Sequence, residues 1–299
     1  MAPEAAGSPA NGAGTTPEGL AAVMAAAEAT VLHGRRGDLA GPHRVGVDLG
    51  TAVVVVVVTD EAGMPVAGAH REAEVVRDGV VVDFVGACRV LGELVAEVTE
   101  RLGHPLEAAA ACYPPGVGRG EVEAVRHVVE SAGLECVALV DEPTAANAVL
   151  AVRDGAVVDV GGGTTGIALI RDGEVQRTVD EPTGGHHLDL VLAGGLGVSL
   201  EEARRRKTDP SWQPRLAPMV RPVLEKIGAL VARGVAGEPI AAVHLVGGTA
   251  ALPGADAAIG GWAGLPIVVP PSPLLVTPVG TARHGAPVAR SIPEPVRVR

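Results

Sequence analysis

The feature that most constrains this chain is a unit that occurs twice, once in each half. Val45-Gly-Val-Asp-Leu-Gly-Thr-Ala leads into the unbroken run Val53 to Val58, and Ala156-Val-Val-Asp-Val-Gly-Gly-Gly-Thr-Thr-Gly-Ile-Ala-Leu-Ile170 repeats the plan. In each, β-branched residues fill a strand, an Asp stands near its end, a Gly-Thr turn reverses the chain and a second apolar strand follows. Such a duplication predicts an α/β fold with two facing hairpins. A partial third version, Val243-His-Leu-Val-Gly-Gly-Thr-Ala, reads as strand, double Gly, helix.

A carboxylate beside a tight Gly/Thr turn suits magnesium phosphate chemistry. Glycines let backbone N–H groups approach phosphate oxygens without a Cβ in the way, and a Thr hydroxyl adds a donor. The Asp repels phosphate but can hold Mg2+, usually through the water this cation gives up reluctantly. Asp48 and Asp159 both have this setting, and two such hairpins would clasp a triphosphate with the ion between the carboxylates. One Gly turn alone is an ordinary hairpin; the facing pair carries the inference. Glu142 stands at a strand-to-helix junction ahead of Pro143, where it either positions water against a γ-phosphate or balances the helix N-terminus. Gly247 and Gly248 let backbone lie flat against an adenine or ribose.

Composition removes other classes. Phe84 and Tyr113 are the only residues of their kinds, so stacking platforms for single-stranded nucleic acid are absent. A formal charge of −11 repels phosphate backbones, so a phosphate site has to be local and built from amides. The basic run Arg204-Arg205-Arg206-Lys207 follows Glu201 and Glu202 at helical spacing and reads as a solvated helix face. Cys88, Cys112 and Cys136 are scattered, as expected of core thiols in a reducing compartment, and the adjacent His186 and His187 point apart. No signal peptide and no membrane-length apolar window is visible, which makes a cytoplasmic location the expectation.

Residues 1–16 are Ala, Gly, Pro and Ser rich and are expected to be disordered. In residues 17–33, Leu20, Met24, Ala27 and Val31 form one small apolar stripe on a helix started by Thr16 and Pro17. That helix either packs on its own domain or docks on a partner. The expected division is a leader over 1–42, lobe I over 43–151 plus 272–287, lobe II over 152–271 and a flexible tail over 288–299.

Four motifs in order carry a resemblance. Val47-Asp-Leu-Gly-Thr, Val140-Asp-Glu-Pro-Thr-Ala-Ala, Asp159-Val-Gly-Gly-Gly-Thr-Thr and Leu245-Val-Gly-Gly-Thr-Ala-Ala-Leu-Pro resemble the phosphate-1, connect-1, phosphate-2 and adenosine motifs of the actin, sugar kinase and DnaK-type chaperone superfamily. Val76-Arg-Asp-Gly-Val-Val-Val-Asp-Phe, Asp180-Glu-Pro-Thr-Gly-Gly-His-His, Leu192-Ala-Gly-Gly, Ser199-Leu-Glu-Glu-Ala and Ser272-Pro-Leu-Leu-Val-Thr-Pro look like the EutJ family, chaperone-like proteins of ethanolamine-utilisation operons. The resemblance implies an actin-like (ribonuclease-H-like) two-lobed ATPase fold with reduced inserted subdomains, binding ATP or ADP with Mg2+. It implies a role around ethanolamine enzymes or their microcompartment shell.

Carried over by motif, Asp48, Gly50 and Thr51 make the first phosphate loop, and Asp159, Gly161, Gly162, Gly163 and Thr164, with Thr165, make the second. Glu142 matches the water-positioning acid, Gly247 and Gly248 the adenosine contacts, and Lys207 a further nucleotide contact. The chain departs from the pattern at Ala52, where a second Thr is usual, and its only lysines are Lys207 and Lys226, so the catalytic Lys of DnaK-type chaperones has no counterpart. A slow ATPase or ATP switch is the leading expectation; an MreB-like filament or a non-hydrolysing scaffold is the alternative.

Overall fold

The computed structural model describes residues 16–288. The expectations for residues 1–15 and 289–299 lie outside it.

Helix α1 (Pro17–Ala27) starts where Thr16, in extended backbone, accepts a 3.1 Å hydrogen bond from the Gly19 N–H. It runs on through a wider π-helical turn, Glu28–Leu32, and stops at His33 before left-handed Gly34. The chain then enters a five-stranded sheet. Strands β1 (His43–Leu49), β2 (Val53–Asp60) and β3 (Pro65–Glu72) form an antiparallel meander in which Val45 pairs with Val58 and Leu49 with Val54. The short β4 (Val76–Arg77) and β5 (Val80–Val81) turn at Asp78-Gly79, both left-handed, as an Asp-Gly hairpin turn requires. This small hairpin is all that separates β3 from α2 (Phe84–Leu102), which Asp83 caps and Gly103 ends. Strand β6 (Ala108–Tyr113), α3 (Arg119–Ser131), β7 (Glu135–Asp141) and α4 (Glu142–Leu150) complete the first half, with strand order β3-β2-β1-β6-β7.

The second half repeats this. Strands β8 (Gly155–Val160), β9 (Thr165–Arg171) and β10 (Glu174–Glu181) form the antiparallel meander. Helices α5 (Gly185–Leu196), α6 (Leu200–Thr208) and α7 (Gln213–Gly234) follow, then β11 (Val243–Val246), α8 (Ala255–Ala263) and β12 (Ile267–Val268). The order β10-β9-β8-β11-β12 matches the first sheet strand for strand, with the last two strands parallel to the central one in both. After β11 the double Gly opens a 3-10 turn, Gly248–Ala251, and α-helix resumes only at Ala255. No helix among the described residues is long and apolar enough to cross a membrane.

Helix α9 (Val276–Arg283) returns between the halves and crosses α4. Gly280 lies flat against the Ala145 carbonyl, and a Cβ at Gly46 of β1 would stand 2.7 Å from the Pro278 carbonyl oxygen. Around this crossing, Val55 and Val57 of one sheet join Val157, Ala168 and Ile170 of the other in one core with Ala146, Val149, Val276 and Val279. The N-terminal stripe belongs to the same core. Met24, Ala27 and Val31 are buried, Leu20 packs at its edge, and Val31 covers Gly68 of β3 so closely that a Cβ there would meet its methyl at 2.6 Å. Of the two fates open to this helix, docking on its own domain is the one observed.

Candidate nucleotide site

The two hairpins meet across the gap between the sheets. Asp48 stands one residue before the end of β1, and the β1–β2 turn is tight enough that a Cβ at Gly50 would come within 2.7 Å of the Val53 carbonyl oxygen. Opposite, the Gly161 N–H closes a turn onto the Thr164 carbonyl at 3.0 Å. A Cβ at Gly162 would stand 3.1 Å from the Ala52 Cβ, and one at Gly163 would stand 2.9 Å from Thr51 Oγ1. Side chains there would push the tips apart, so glycine is needed for the approach. The N-terminus of α5 holds the second hairpin from behind: Gly185 N–H donates to the Gly161 carbonyl at 2.9 Å and His186 N–H to the Gly162 carbonyl at 2.7 Å. With those carbonyls engaged, the loop is oriented by its own helix. Thr249 adds a hydroxyl to the Gly161 carbonyl at 3.2 Å, whereas buried Thr165 donates to the Thr183 carbonyl at 2.6 Å, inside its own lobe.

Four carboxyl groups converge at this junction. Burial, then the charge of Asp159, pushes Asp48 up to about 7; Cys112 opposes this through a hydrogen bond. Burial also raises Asp159, against a hydrogen bond from Thr277. Glu142 is held well above the usual carboxylate range by burial, then by Asp159, Asp48, Asp180 and Asp141. Asp180, at the end of β10, is pushed to about 7 by burial, with a Thr164 hydrogen bond opposing. None of the four is lowered by a Lys or Arg. Buried like charges without a counter-ion are the setting that a cation relieves. No three His, Cys, Asp or Glu side chains among the described residues are arranged to grip a metal directly, so the donor set fits an ion held through its water shell.

Glu142 opens α4, but the helix cap is its neighbour: Asp141 Oδ1 accepts from the Thr144 N–H at 3.0 Å. The helix terminus is therefore served by Asp141, and Glu142 faces the other carboxylates. Gly247, left-handed, packs against the Asp159 carboxylate and the Val160 carbonyl, and Gly248 follows it into the 3-10 turn.

Half of the basic run departs from the solvated face expected of it. Lys207 Nζ lies 2.7 Å from Asp189 Oδ1 and donates to the Gly185 carbonyl at 3.2 Å, behind the second hairpin. Arg204 reaches the same buried Asp189 at 3.5 Å and, with its Nη1, Glu74 of the first lobe at 2.7 Å. Arg205 stays exposed, while half-buried Arg206 pairs with Glu202 and lies over the Trp212 ring at 4.2 Å. Asp180, Asp189, Cys112, Thr249 and Thr277 were not singled out by sequence as site residues. Asp180, Thr249 and Thr277 had a signal, each lying within a family-like motif, whereas Asp189 and Cys112 had none.

A family model described as MreB/Mbl protein matches residues 70–193. Ethanolamine utilization protein EutJ of Salmonella typhimurium (strain LT2) is 40% identical over 252 residues, covering 84% of this chain and 88% of that protein. The chain belongs to the EutJ family. The crystal structure of EutJ from Carboxydothermus hydrogenoformans, 46% identical, superposes with a TM-score of 0.86 over 90% of this chain and 99% of that one. MreB5 of Spiroplasma citri, solved bound to AMPPNP, is 18% identical and superposes with a TM-score of 0.64 over 80% of this chain and 94% of that one, sharing the fold. The EutJ fold seen here is thus the actin-like two-lobed α/β fold, with only the β4–β5 hairpin between β3 and α2.

Proposed function

We propose that this EutJ-family chain binds Mg-ATP and Mg-ADP between the two hairpins and works as a slow ATPase or ATP switch in ethanolamine utilisation. The single observation that carries the reading is the meeting of two Asp-Gly-Thr hairpins over carboxylates that lack a counter-ion. MreB5, which shares the fold, has been solved with AMPPNP and with ADP.

In this reading Gly50, Thr51, Gly161, Gly162, Gly163 and Thr164 offer donors to the phosphates, Gly247 and Gly248 lie against the adenosine, and Lys207 stands behind the second loop. Asp48 and Asp159 anchor the hydrated ion. Bound Mg2+ would neutralise the phosphates and draw protons off the raised carboxyls. Glu142, once ionised, accepts a proton from water aligned on the γ-phosphate. The cellular task we assign is assembly or reactivation of ethanolamine enzymes or their microcompartment, which the family name supports.

A specific observation favours a second reading, a nucleotide-dependent scaffold without turnover. Lys207, the lysine behind the second hairpin, is tied to Asp189 and to the Gly185 carbonyl, so its amine is already engaged. Thermal melting tests the binding half: a ligand at a hundredfold excess over Kd stabilises by about 2.7 kcal/mol. Unchanged melting in saturating Mg-ATP and Mg-ADP would refute binding. Phosphate release by the bound protein then separates switch from scaffold.

A further inference from the structure

Helix α9 carries Thr277 and Thr281 one turn apart, on a single face. Both are buried. A buried helical threonine usually returns its hydroxyl to the carbonyl four residues back. Thr281 does so, donating to the Thr277 carbonyl at 2.9 Å. Thr277 does not: the carbonyl four residues behind it, on Pro273, already accepts the Gly247 N–H at 3.0 Å. Its hydroxyl instead donates to Asp159 Oδ2 at 2.6 Å, joining residues 118 apart in sequence.

Thr281 keeps its hydroxyl within the helix, so the face is tied to the second-lobe carboxylate through Thr277. The helix itself has little freedom to shift, because Gly280 lies on the Ala145 backbone and Pro278 on Gly46.

We propose that Thr277 is a positioning residue: through it α9 fixes the orientation of Asp159 and so sets how tightly the site holds the divalent cation that accompanies the nucleotide. This rests on the nucleotide reading. A packing role makes the opposite demand. Thr277→Val keeps the shape and removes the donor, whereas Thr277→Ser keeps the donor and removes a methyl group.

The test titrates Mg2+ at fixed ATP with the full chain and follows nucleotide binding, with an EDTA control. Thr277→Val is expected to raise the Mg2+ concentration for half-saturation roughly tenfold, as loss of a hydrogen bond to a charged group implies, and to leave ATP binding in EDTA unchanged. Thr277→Ser should stay within about twofold of the wild type. Thr281→Val, which removes only a bond within the helix, should leave the same curve within about twofold of the wild type. A wild-type Mg2+ requirement in Thr277→Val, an equal shift in Thr281→Val, or a Ser variant worse than the Thr277→Val variant would overturn the proposal alone. No Mg2+-dependent binding by the wild type would instead remove the nucleotide reading and this inference with it.

Discussion

Replacing Asp48 with Asn keeps the side chain's shape and removes its charge. Asp48 titrates near 7 instead of its ordinary 3.8, and three units correspond to about 4 kcal/mol as a ceiling. The side chain keeps an edge open to the cleft, so water returns part of this and roughly 2 kcal/mol is the working figure. The sign follows from proton counting. Between its ordinary value and about 7 the folded state holds a proton that the unfolded state has lost, so this group's contribution falls as pH rises through that window and stays low above it. Asn escapes the loss. In EDTA at about pH 8 the variant should melt higher than the wild type by about 5 °C, and near pH 3, below the ordinary value of 3.8, the two should coincide. The same variant should respond less to Mg-ATP, because one of the two anchors is gone. Thermal melts at both pH values, with and without Mg-ATP, read all three effects. A variant that melts lower than the wild type at pH 8, or gains equally at both pH values, would refute the idea that Asp48 is an uncompensated buried charge.

Other substitutions separate the remaining roles. Asp159→Ala should weaken Mg2+-dependent binding, while Glu142→Gln should keep nucleotide affinity and lose phosphate release; equal loss of affinity in both would remove Glu142 as the water-positioning group. Gly280→Val should cost about 3 kcal/mol or more in urea denaturation, since its side chain has to enter the Ala145 backbone across the α4–α9 crossing. Met24→Ala should cost roughly 2–4 kcal/mol because the side chain is fully buried; an unchanged urea midpoint would show that the N-terminal helix does not contribute its apolar stripe to the core.

Much of this architecture was legible because its signals are local. Runs of Val mark β1 and β2, the Gly turns mark the hairpins, and the spacing of Leu91, Leu94, Val95 and Val98 marks α2. The duplication is visible in Asp48 and Asp159 and emerges as two sheets of identical strand order. What stayed hidden depends on contacts between distant segments. Nothing near Asp189 shows that it is buried, so nothing told Arg204 and Lys207 apart from Arg205 and Arg206. The Thr277 hydroxyl bonds Asp159 across 118 positions of sequence, which no local spacing announces. The stripe on α1 was readable, but its docking site is Gly68 and the face of β3, and a stripe of small apolar residues does not name the surface it will cover.

Entry of a nucleotide into the cleft is read most directly by calorimetric titration of the full chain with ATP in Mg2+, repeated in EDTA and with Asp159→Ala. The expected result is a saturable isotherm with one site per chain in Mg2+, markedly weakened by EDTA and by the substitution. A wild type that gives no binding heat and no thermal shift with ATP or ADP in Mg2+ would contradict the assignment of the paired hairpins as a nucleotide site.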